Sequence, residues 1–285
     1  KAVMPAPLLT HDLQERLRRA AAAGEARLEC SLDLGRTVVE VELDARGWRW
    51  QGRHHAWLEP CRERTVYYLA DSGFAPASRY DGGLVKLVPT DWGPPTFEID
   101  GIKMLPTSQV SPWEDARRKV ALVEPGGKRI LDCCGGLGYF AACCVAAGAK
   151  QVLSFEKNPS VAWLRTLNPW SPPADGVRLV LEPVDVTTRL AAFGEGSFGA
   201  VLHDPPRFGI AGELYSQELY DEFARLLATG GRLFHYTGQP NRLTSNRDVP
   251  REVAMRLQRA GFTTRLVGDG VLATRSARRK PRERH

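Results

Sequence analysis

Hydrophobic and polar positions alternate along the first part of the chain, and longer apolar runs replace this pattern at about residue 125. After a helical stretch over 12–23, short alternating runs bounded by polar or glycine turns lie at 38–43, 48–50, 65–69, 84–88 and 96–99. Alternation with a period of two between such turns predicts antiparallel β-strands. We therefore expect a small β-rich N-terminal module over residues 1–105.

From residue 128 the pattern alternates between strands and helices. Predicted strands lie at 128–132, 151–156, 177–182, 199–203, 231–235, 262–267 and 270–274. Predicted helices lie between them at 138–147, 159–168, 215–228 and 250–260. This order predicts an α/β fold with a doubly wound seven-stranded sheet and a ligand site at the carboxyl ends of the strands. We expect this domain to span residues 106–274.

Composition is that of an ordinary globular protein, with 43% hydrophobic and 25% charged residues. The formal charge of +6 comes from 39 Lys and Arg against 33 Asp and Glu. Residues 275–285 hold six basic residues and one acid, which leaves 33 basic and 32 acidic residues over 1–274. The body of the chain is therefore nearly neutral. The tail at 275–285 is predicted to be a disordered basic segment, and the global charge favours an RNA partner only through it.

Cysteine usage and hydropathy predict a cytoplasmic protein without a metal site or a membrane contact. Four of the six cysteines form two adjacent pairs, Cys133-Cys134 and Cys143-Cys144, in an apolar stretch. Neighbouring cysteines rarely bridge each other, and no Cys/His spacing is typical of zinc ligands. No apolar run approaches the roughly 20 residues of a membrane span. We expect buried, reduced thiols.

A glycine-rich turn follows the predicted strand at 128–132. The strand ends at Asp132, and Gly135, Gly136 and Gly138 lead into the predicted helix. Glycines allow a tight turn and close approach of a ligand to the backbone, and a helix N-terminus offers unpaired N–H groups. Taken alone, such a turn is also common as plain packing in α/β folds.

Acidic residues follow the next three strands and strengthen this pattern. Glu156 ends the second strand, 24 residues after Asp132, where a carboxylate can accept two ribose hydroxyls. Asp185 follows the third strand, in a position suited to the exocyclic amine of an adenine. Asp204 follows the fourth strand.

This order resembles the class I, Rossmann-like S-adenosylmethionine (AdoMet)-dependent methyltransferases over residues 105–275. The resemblance implies AdoMet as cofactor, with Glu156 on the ribose and Asp185 near the adenine. It places the methionine part near Asp132, Gly135, Gly136 and Gly138. The usual glycine two positions after the first acid is replaced here by Cys134.

A closer resemblance, to a poorly characterised group of predicted methyltransferases from archaea and some bacteria, covers nearly the whole chain. Its signature segments are 31–35, 134–139, 156–159, 167–171, 203–208, 211–216 and 230–238. Some members of that group are labelled as polyamine synthases or tRNA methyltransferases on distant likeness.

The loop of Asp204, Pro205, Pro206, Arg207 and Phe208 is the candidate acceptor site. It resembles the Asp-Pro-Pro-x-Phe loops of some RNA base methyltransferases. Asp204 is expected to orient the acceptor or to contact the cofactor. Arg207 is expected either to pair with a phosphate or carboxylate or to form a surface ion pair.

His235 closes the fifth strand and is a candidate for proton handling, although a structural role is the favoured interpretation of a histidine at this position. Tyr215, Tyr220 and Tyr236 are further candidates, and Tyr215 and Tyr220 are equally consistent with the packed face of a helix. A nucleophilic cysteine for carbon-5 cytosine methylation is disfavoured, because no cysteine follows Cys144.

The sequence therefore favours an AdoMet-dependent methyltransferase whose acceptor is a tRNA or rRNA base. A second reading is an aminopropyltransferase, although such enzymes normally show a Gly-Gly-Gly-Asp turn and an acid-rich polyamine channel. Methylation of a protein or of a small molecule is also compatible with these residues, and so is a non-catalytic AdoMet-binding scaffold.

Overall fold

The computed structural model describes residues 6–206, 211–238 and 248–277. It divides into an N-terminal unit, formed by Lys1–Asp115 and Trp163–Ser171, and a C-terminal unit, formed by Ala116–Ala162 and Pro172–His285. The first division falls after Asp115, and a short segment from the middle of the chain groups with the N-terminal unit. Most of the predicted basic tail, residues 278–285, lies outside the described residues.

The described part of the N-terminal unit contains one complete helix, α1 (His11–Ala22), and three antiparallel sheets. The first sheet has the order β1 (Leu8–Thr10), β6 (Val66–Ala70) and β7 (Gly73–Pro76). The second consists of β2 (Arg27–Cys30), β3 (Val39–Asp44), β4 (Gly47–Trp50) and β5 (Arg53–Ala56). The third consists of β8 (Ser78–Tyr80), β9 (Leu84–Val88), β10 (Thr96–Ile99) and β11 (Ile102–Lys103). The predicted β-rich character of this region is confirmed.

Two of the signature segments meet inside the N-terminal unit. The indole Nε1 of Trp170 donates to the carbonyl of Leu34 over 3.0 Å. The guanidinium of Arg36 lies 5.5 Å from the centre of the Trp170 ring and also donates to the carbonyl of Pro169. The segments 31–35 and 167–171 therefore stabilise each other, which explains why residues 163–171 belong to this unit.

The C-terminal unit contains the predicted α/β sheet. Its helices are α2 (Pro112–Leu122), which begins in the N-terminal unit, α3 (Tyr139–Ala146), α4 (Pro159–Leu167), which ends there, α5 (Gln217–Leu226) and α6 (Val249–Arg259). Its strands are β12 (Arg129–Asp132), β13 (Gln151–Phe155), β14 (Leu179–Glu182), β15 (Phe198–His203), β16 (Leu227–Tyr236), β17 (Phe262–Val267) and β18 (Gly270–Arg275).

The seven strands lie in the order β14-β13-β12-β15-β16-β18-β17. The first five are parallel, whereas β18 runs antiparallel to both of its neighbours. The chain winds outward from β12 through β13 to β14 and then returns to β15, so the strand order reverses between β12 and β15. This is the doubly wound, Rossmann-like sheet that the sequence predicts, and its reversal point is where such folds bind ligands.

Continuous apolar runs form the central strands. Ile130 and Leu131 in β12, and residues 200–202 in β15, are completely buried. Strands buried on both faces need such runs rather than alternation, which is typical of parallel sheets covered by helices. In the described part of the chain, every helix is too short or too polar to span a membrane.

The antiparallel strand β18 approaches β16 closely at a glycine. Gly270 pairs with Tyr236 in the sheet register. A Cβ atom at Gly270 would lie 2.6 Å from the carbonyl oxygen of His235 and 2.6 Å from Cζ of Phe234. The absence of a side chain at this position therefore sets the spacing of the two strands beside the carboxyl end of β16.

We expect Gly270→Ala to destabilise the C-terminal unit by about 1–3 kcal/mol, because the added methyl group forces the two strands apart. Differential scanning calorimetry would show a lower melting temperature for this unit. Gly194→Ala is the matched control, since no atom lies within 4 Å of the added Cβ there. Equal melting temperatures for the two variants would contradict the close-approach argument.

Candidate functional site

The glycine turn after β12 is bound to the end of the neighbouring strand β13. The N–H of Gly135 donates to the carbonyl of Phe155 over 2.7 Å. The N–H of Gly136 donates to Oε2 of Glu156 over 3.0 Å. Gly138 has a left-handed φ of +86° immediately before α3, a conformation that glycine adopts without strain. The predicted glycines thus form a fixed turn that leads into a helix N-terminus.

Glu156 directly follows β13, and main-chain N–H groups hold both of its carboxylate oxygens. Besides the bond from Gly136, the N–H of Asn158 donates to Oε1 over 2.8 Å. Asn158 in turn caps α4, because its Oδ1 accepts from the N–H of Ser160 over 2.9 Å. A fixed carboxylate at the end of the second strand is the arrangement that a ribose diol requires, since each hydroxyl can donate to a carboxylate oxygen.

Asp132, the first predicted cofactor residue, is completely buried at the end of β12. Its Oδ2 accepts a hydrogen bond from the hydroxyl of Ser154 over 2.7 Å. Ser154 is the residue opposite Asp132 in the register of β12 and β13. In this structure Asp132 therefore fixes the two strand ends against each other, and the sequence offers no local signal for its partner Ser154.

Asp185 starts a short 3-10 helix after β14. Its Oδ1 accepts from the N–H and from the hydroxyl of Thr187, over 2.9 Å and 2.7 Å. Burial opposes ionisation of this carboxyl, but the bonds from Thr187 and the charge of Lys157 outweigh it and lower its pKa. Asp185 is thus ionised at neutral pH, and its contact with an adenine stays a prediction.

Cys134 lies in an acidic environment in the turn after β12. Burial raises the pKa of its thiol well above the ordinary value, and the neighbouring titratable groups of Cys133, Glu156, Asp204 and Asp132 raise it further, in that order. The thiol is therefore protonated and unsuited to nucleophilic attack. All six cysteines are free thiols.

Asp204 follows β15 and lies close to two groups of the site. Its negative charge contributes to the raised pKa of Cys134 and also to that of Tyr215, after burial of the phenol. The hydroxyl of Tyr215 donates to the carbonyl of Pro206 over 3.0 Å. Arg207 and Phe208, predicted to contact the acceptor, lie outside the described residues, whereas Asp204, Pro205 and Pro206 lie within them.

His235 is buried in a polar network at the ends of β15 and β16. Its Nδ1 donates to the carbonyl of Tyr236 over 2.7 Å, and its Nε2 accepts from the hydroxyl of Tyr220 over 2.8 Å. Both ring nitrogens are thus engaged inside the protein. Burial, together with the nearby His203, lowers the pKa of His235 well below its ordinary value. This geometry favours a structural role over the proton handling predicted from the sequence.

His203 belongs to the same network and lies at the end of β15. Its ring centre is 4.6 Å from that of His235, and its Nε2 donates to the carbonyl of Leu214 over 2.8 Å. Burial lowers the pKa of His203 to about 4, although the bond to Leu214 opposes that shift. Both histidines are therefore neutral in the folded protein at neutral pH.

Lys119 on α2 is a site neighbour that the sequence does not reveal. Its ammonium forms an ion pair with Asp269 at 3.2 Å and lies 4.9 Å from the centre of the Tyr236 ring. A buried lysine requires such a partner, because an unpaired charge is costly away from water. This pair fixes Tyr236 at the carboxyl end of β16. In the part of the chain that the structure describes, no three His, Cys, Asp or Glu side chains form a metal-ligand group.

Comparison with known proteins identifies one similar curated sequence. The chain is 42% identical over 204 residues to the uncharacterized protein MJ1233 of Methanocaldococcus jannaschii, which covers 70% of this chain and 69% of that protein. No protein-family profile matches the chain.

Solved structures with the same fold include spermidine synthases. The enzyme from Thermotoga maritima is 17% identical, with a TM-score of 0.55 and coverage of 70% of this chain and 71% of that chain. A spermidine synthase in complex with the transition-state analogue AdoDATO is 15% identical, with a TM-score of 0.58 and coverage of 70% and 73%. An S-adenosylmethionine-dependent methyltransferase from Mesorhizobium loti is 16% identical, with a TM-score of 0.41 and coverage of 59% and 99%. The likeness to the two synthases shows a shared fold.

The buried histidines predict an acid-sensitive fold. The pKa of His203 is lower in the folded chain than in the unfolded chain, so its contribution to stability is complete above about pH 6.5 and is lost as the pH falls towards about 4. His203→Gln keeps a donor for Leu214 but does not titrate. When the pH falls from about 7 to about 5, the free energy of unfolding measured with urea should therefore decrease by roughly 1–2 kcal/mol less in this variant than in the wild type. Equal losses would show that His203 is not held neutral.

Proposed function

The chain belongs to the same family as the uncharacterized protein MJ1233 of Methanocaldococcus jannaschii. From its fold and from the residues at its strand ends we propose that it is an AdoMet-dependent methyltransferase acting on an RNA base. The cofactor side of the proposal involves the glycine turn, Glu156 and Asp185. The acceptor side involves the loop that begins at Asp204.

One observation carries this proposal. The fixed Glu156 carboxylate and the glycine turn lie at the ends of β13 and β12, while Asp204 lies at the end of β15. The strand order reverses between β12 and β15, and ligands of doubly wound sheets bind at such a reversal. A cofactor held on one side of this point has its reactive group beside an acceptor held on the other side.

The residues fit the cofactor in three respects. The turn has the left-handed glycine that close approach of a ligand requires, the helix α3 begins directly after it, and the Glu156 carboxylate is already oriented. When bound, AdoMet supplies a methyl group on a sulfonium sulfur, and that sulfur leaves with its bonding electron pair during the transfer.

The acceptor loop favours a nitrogen that carries hydrogen. Pro205 and Pro206 have no N–H groups, so their backbone offers only carbonyl acceptors, and the Asp204 carboxylate also accepts. An amino group can donate to the Pro205 carbonyl and to the Asp204 carboxylate, since the Pro206 carbonyl accepts from Tyr215. Such donation would orient the lone pair of the nitrogen towards the methyl carbon. The nitrogen must lose one proton after it has gained the methyl group, and we assign the uptake of that proton to the Asp204 carboxylate.

An RNA base as the carrier of this nitrogen is supported by the sequence around the site. Arg207 follows the two prolines and has the charge and donor pattern that pair with a phosphate, and Phe208 comes one position later as an aromatic residue of the kind that stacks on bases. The basic tail adds an electrostatic attraction to phosphates. The six free thiols agree with a reducing compartment such as the cytoplasm.

Aminopropyl transfer is the second candidate, and the likeness of the fold to two spermidine synthases favours it. Against it, the turn after Asp132 carries Cys134 and Leu137 among its glycines instead of a Gly-Gly-Gly-Asp sequence. The loop at 204–208 also contains a single acid, where a polyamine channel needs several. Methylation of a protein or of a small molecule uses the same cofactor side.

We expect Glu156→Gln to weaken AdoMet binding roughly tenfold to a hundredfold, because an amide replaces one carboxylate oxygen by a donor that cannot accept a ribose hydroxyl. Isothermal titration calorimetry measures this directly. Glu25→Gln, at an exposed position of the N-terminal unit, is the control. Unchanged affinity in Glu156→Gln would remove the ribose role.

Incubation with methyl-labelled AdoMet and cell extract identifies the acceptor class. We expect label in the RNA fraction with the wild type and at least a roughly tenfold lower incorporation with Asp204→Asn, which cannot take up the proton. Label confined to the protein or small-molecule fraction would end the RNA proposal. A parallel incubation with methyl-labelled decarboxylated AdoMet and a polyamine tests the second candidate, because aminopropyl transfer would leave the methyl label on methylthioadenosine.

A further inference from the structure

Two buried hydrogen bonds join the flanks of the acceptor loop. The first runs from Nε2 of His203, at the end of β15, to the carbonyl of Leu214 over 2.8 Å. The second runs from the hydroxyl of Tyr215 to the carbonyl of Pro206 over 3.0 Å. Leu214 and Tyr215 belong to a short 3-10 helix, Gly212–Tyr215, that follows the loop. The segment that leaves the sheet is thus bound to the segment that returns to it.

Tyr215 is itself held rigidly. The residue is completely buried, and its ring centre lies 5.1 Å from that of His235. Its own carbonyl accepts from the guanidinium Nη1 of Arg256 on α6 over 2.7 Å. Burial, followed by the charge of Asp204, raises the pKa of the Tyr215 phenol, so the hydroxyl remains a donor. The bond to Pro206 therefore comes from a fixed, neutral group.

This bond determines which oxygen atoms of the loop are turned towards the protein. Because proline has no N–H group, the backbone of Pro205 and Pro206 can form hydrogen bonds only through its two carbonyls. The Pro206 carbonyl is directed at the buried hydroxyl of Tyr215. The orientation of the Pro206 carbonyl is fixed in consequence, two residues after Asp204 and three after the end of β15.

We propose that Tyr215 is the positioning residue of the acceptor site, which holds the Asp204–Pro206 segment in the orientation that presents the Asp204 carboxylate to the acceptor nitrogen. This inference rests on the proposed methyltransferase function. Tyr215 does not contact the reacting atoms; it acts through the Pro206 carbonyl. The cofactor side, built from the turn after β12 and from Glu156, shares none of these bonds.

Tyr215→Phe removes this one hydroxyl and keeps the buried ring. We expect methyl transfer to total RNA to fall at least about tenfold in kcat, because small misplacement of a reacting group costs about that much or more. The Kd for AdoMet should stay within about twofold, since the cofactor contacts are unchanged. Deuterium exchange at the amides of Asp204 and of residues 212–215 should rise.

Tyr67→Phe is the matched control, because Tyr67 is a buried tyrosine of the N-terminal unit whose hydroxyl accepts from the N–H of Arg62 over 2.9 Å. It should change neither transfer nor exchange at the loop. If Tyr215→Phe lowers the stability too far, Arg256→Met releases the carbonyl of Tyr215 from α6 and should give the same pattern in a milder form.

The outcomes separate the positioning role of Tyr215 from the proposed methyltransferase function. Unchanged exchange in Tyr215→Phe would show that Tyr215 does not hold the loop, and raised exchange with unchanged kcat would show that the loop needs no such positioning. An equal loss of AdoMet affinity and of transfer would mark a general structural defect and would overturn the specific role. Absence of transfer by the wild type would instead refute the proposed function, while the exchange comparison would still decide whether Tyr215 restrains the loop.

Discussion

The hydrogen bonds that join the glycine turn after β12 to the end of β13 set the geometry on which the candidate site depends. Gly135 bonds to the main chain of Phe155, and Gly136 bonds to the carboxylate of Glu156. Adjacent parallel strands end at the same edge of the sheet, so two such bonds bring a turn and an acid together without a long loop. They orient the carboxylate before a ligand arrives, and this preorganisation lowers the cost of binding.

The acceptor side depends on a different kind of constraint, a polar network inside the core. Buried polar groups are costly unless they are hydrogen-bonded. His235, Tyr220 and Tyr215 meet this requirement through bonds to one another and to backbone carbonyls. Burial lowers the pKa of both histidines, so at neutral pH they are uncharged while the network holds the ends of β15 and β16 in place. The hydrogen bonds of the network therefore favour a contribution through rigidity over one through acid–base chemistry.

The sheet can be predicted from the sequence because its strands are continuous apolar runs between helical segments. The ends of the elements are harder to predict. The helix predicted from residue 215 begins at Gln217, because Ser216 caps it by accepting from the N–H of Leu219. Strand β16 begins at Leu227 instead of 231. The polar and glycine residues at 229–231 are typical of a turn, so the sequence does not predict that Leu227 pairs with Phe198. Local propensity does not contain such tertiary pairings.

The same distinction applies to the site. Glu156 and Asp204 can be located from the sequence because each directly follows a strand, and parallel strands bring their carboxyl ends to one edge. The position of Lys119 beside Tyr236 cannot be predicted from the sequence, because α2 and β16 are far apart along the chain and only packing brings them together. The sequence likewise does not indicate that the segment at 163–171 belongs to the N-terminal unit. The indole of Trp170 donates to the carbonyl of Leu34, a contact between residues that are far apart in the sequence.

A shared fold therefore predicts the cofactor side of the site better than the acceptor side. The cofactor side is built from bonds between residues close to the strand ends, so any chain with this sheet and turn can form it. Methyl transfer and aminopropyl transfer both displace a sulfonium sulfur, and they differ in which of its carbons meets the nucleophile. That choice depends on the direction in which the acceptor is presented. In this chain we propose that the direction follows from the Asp204 loop and from Tyr215, neither of which the strand order dictates.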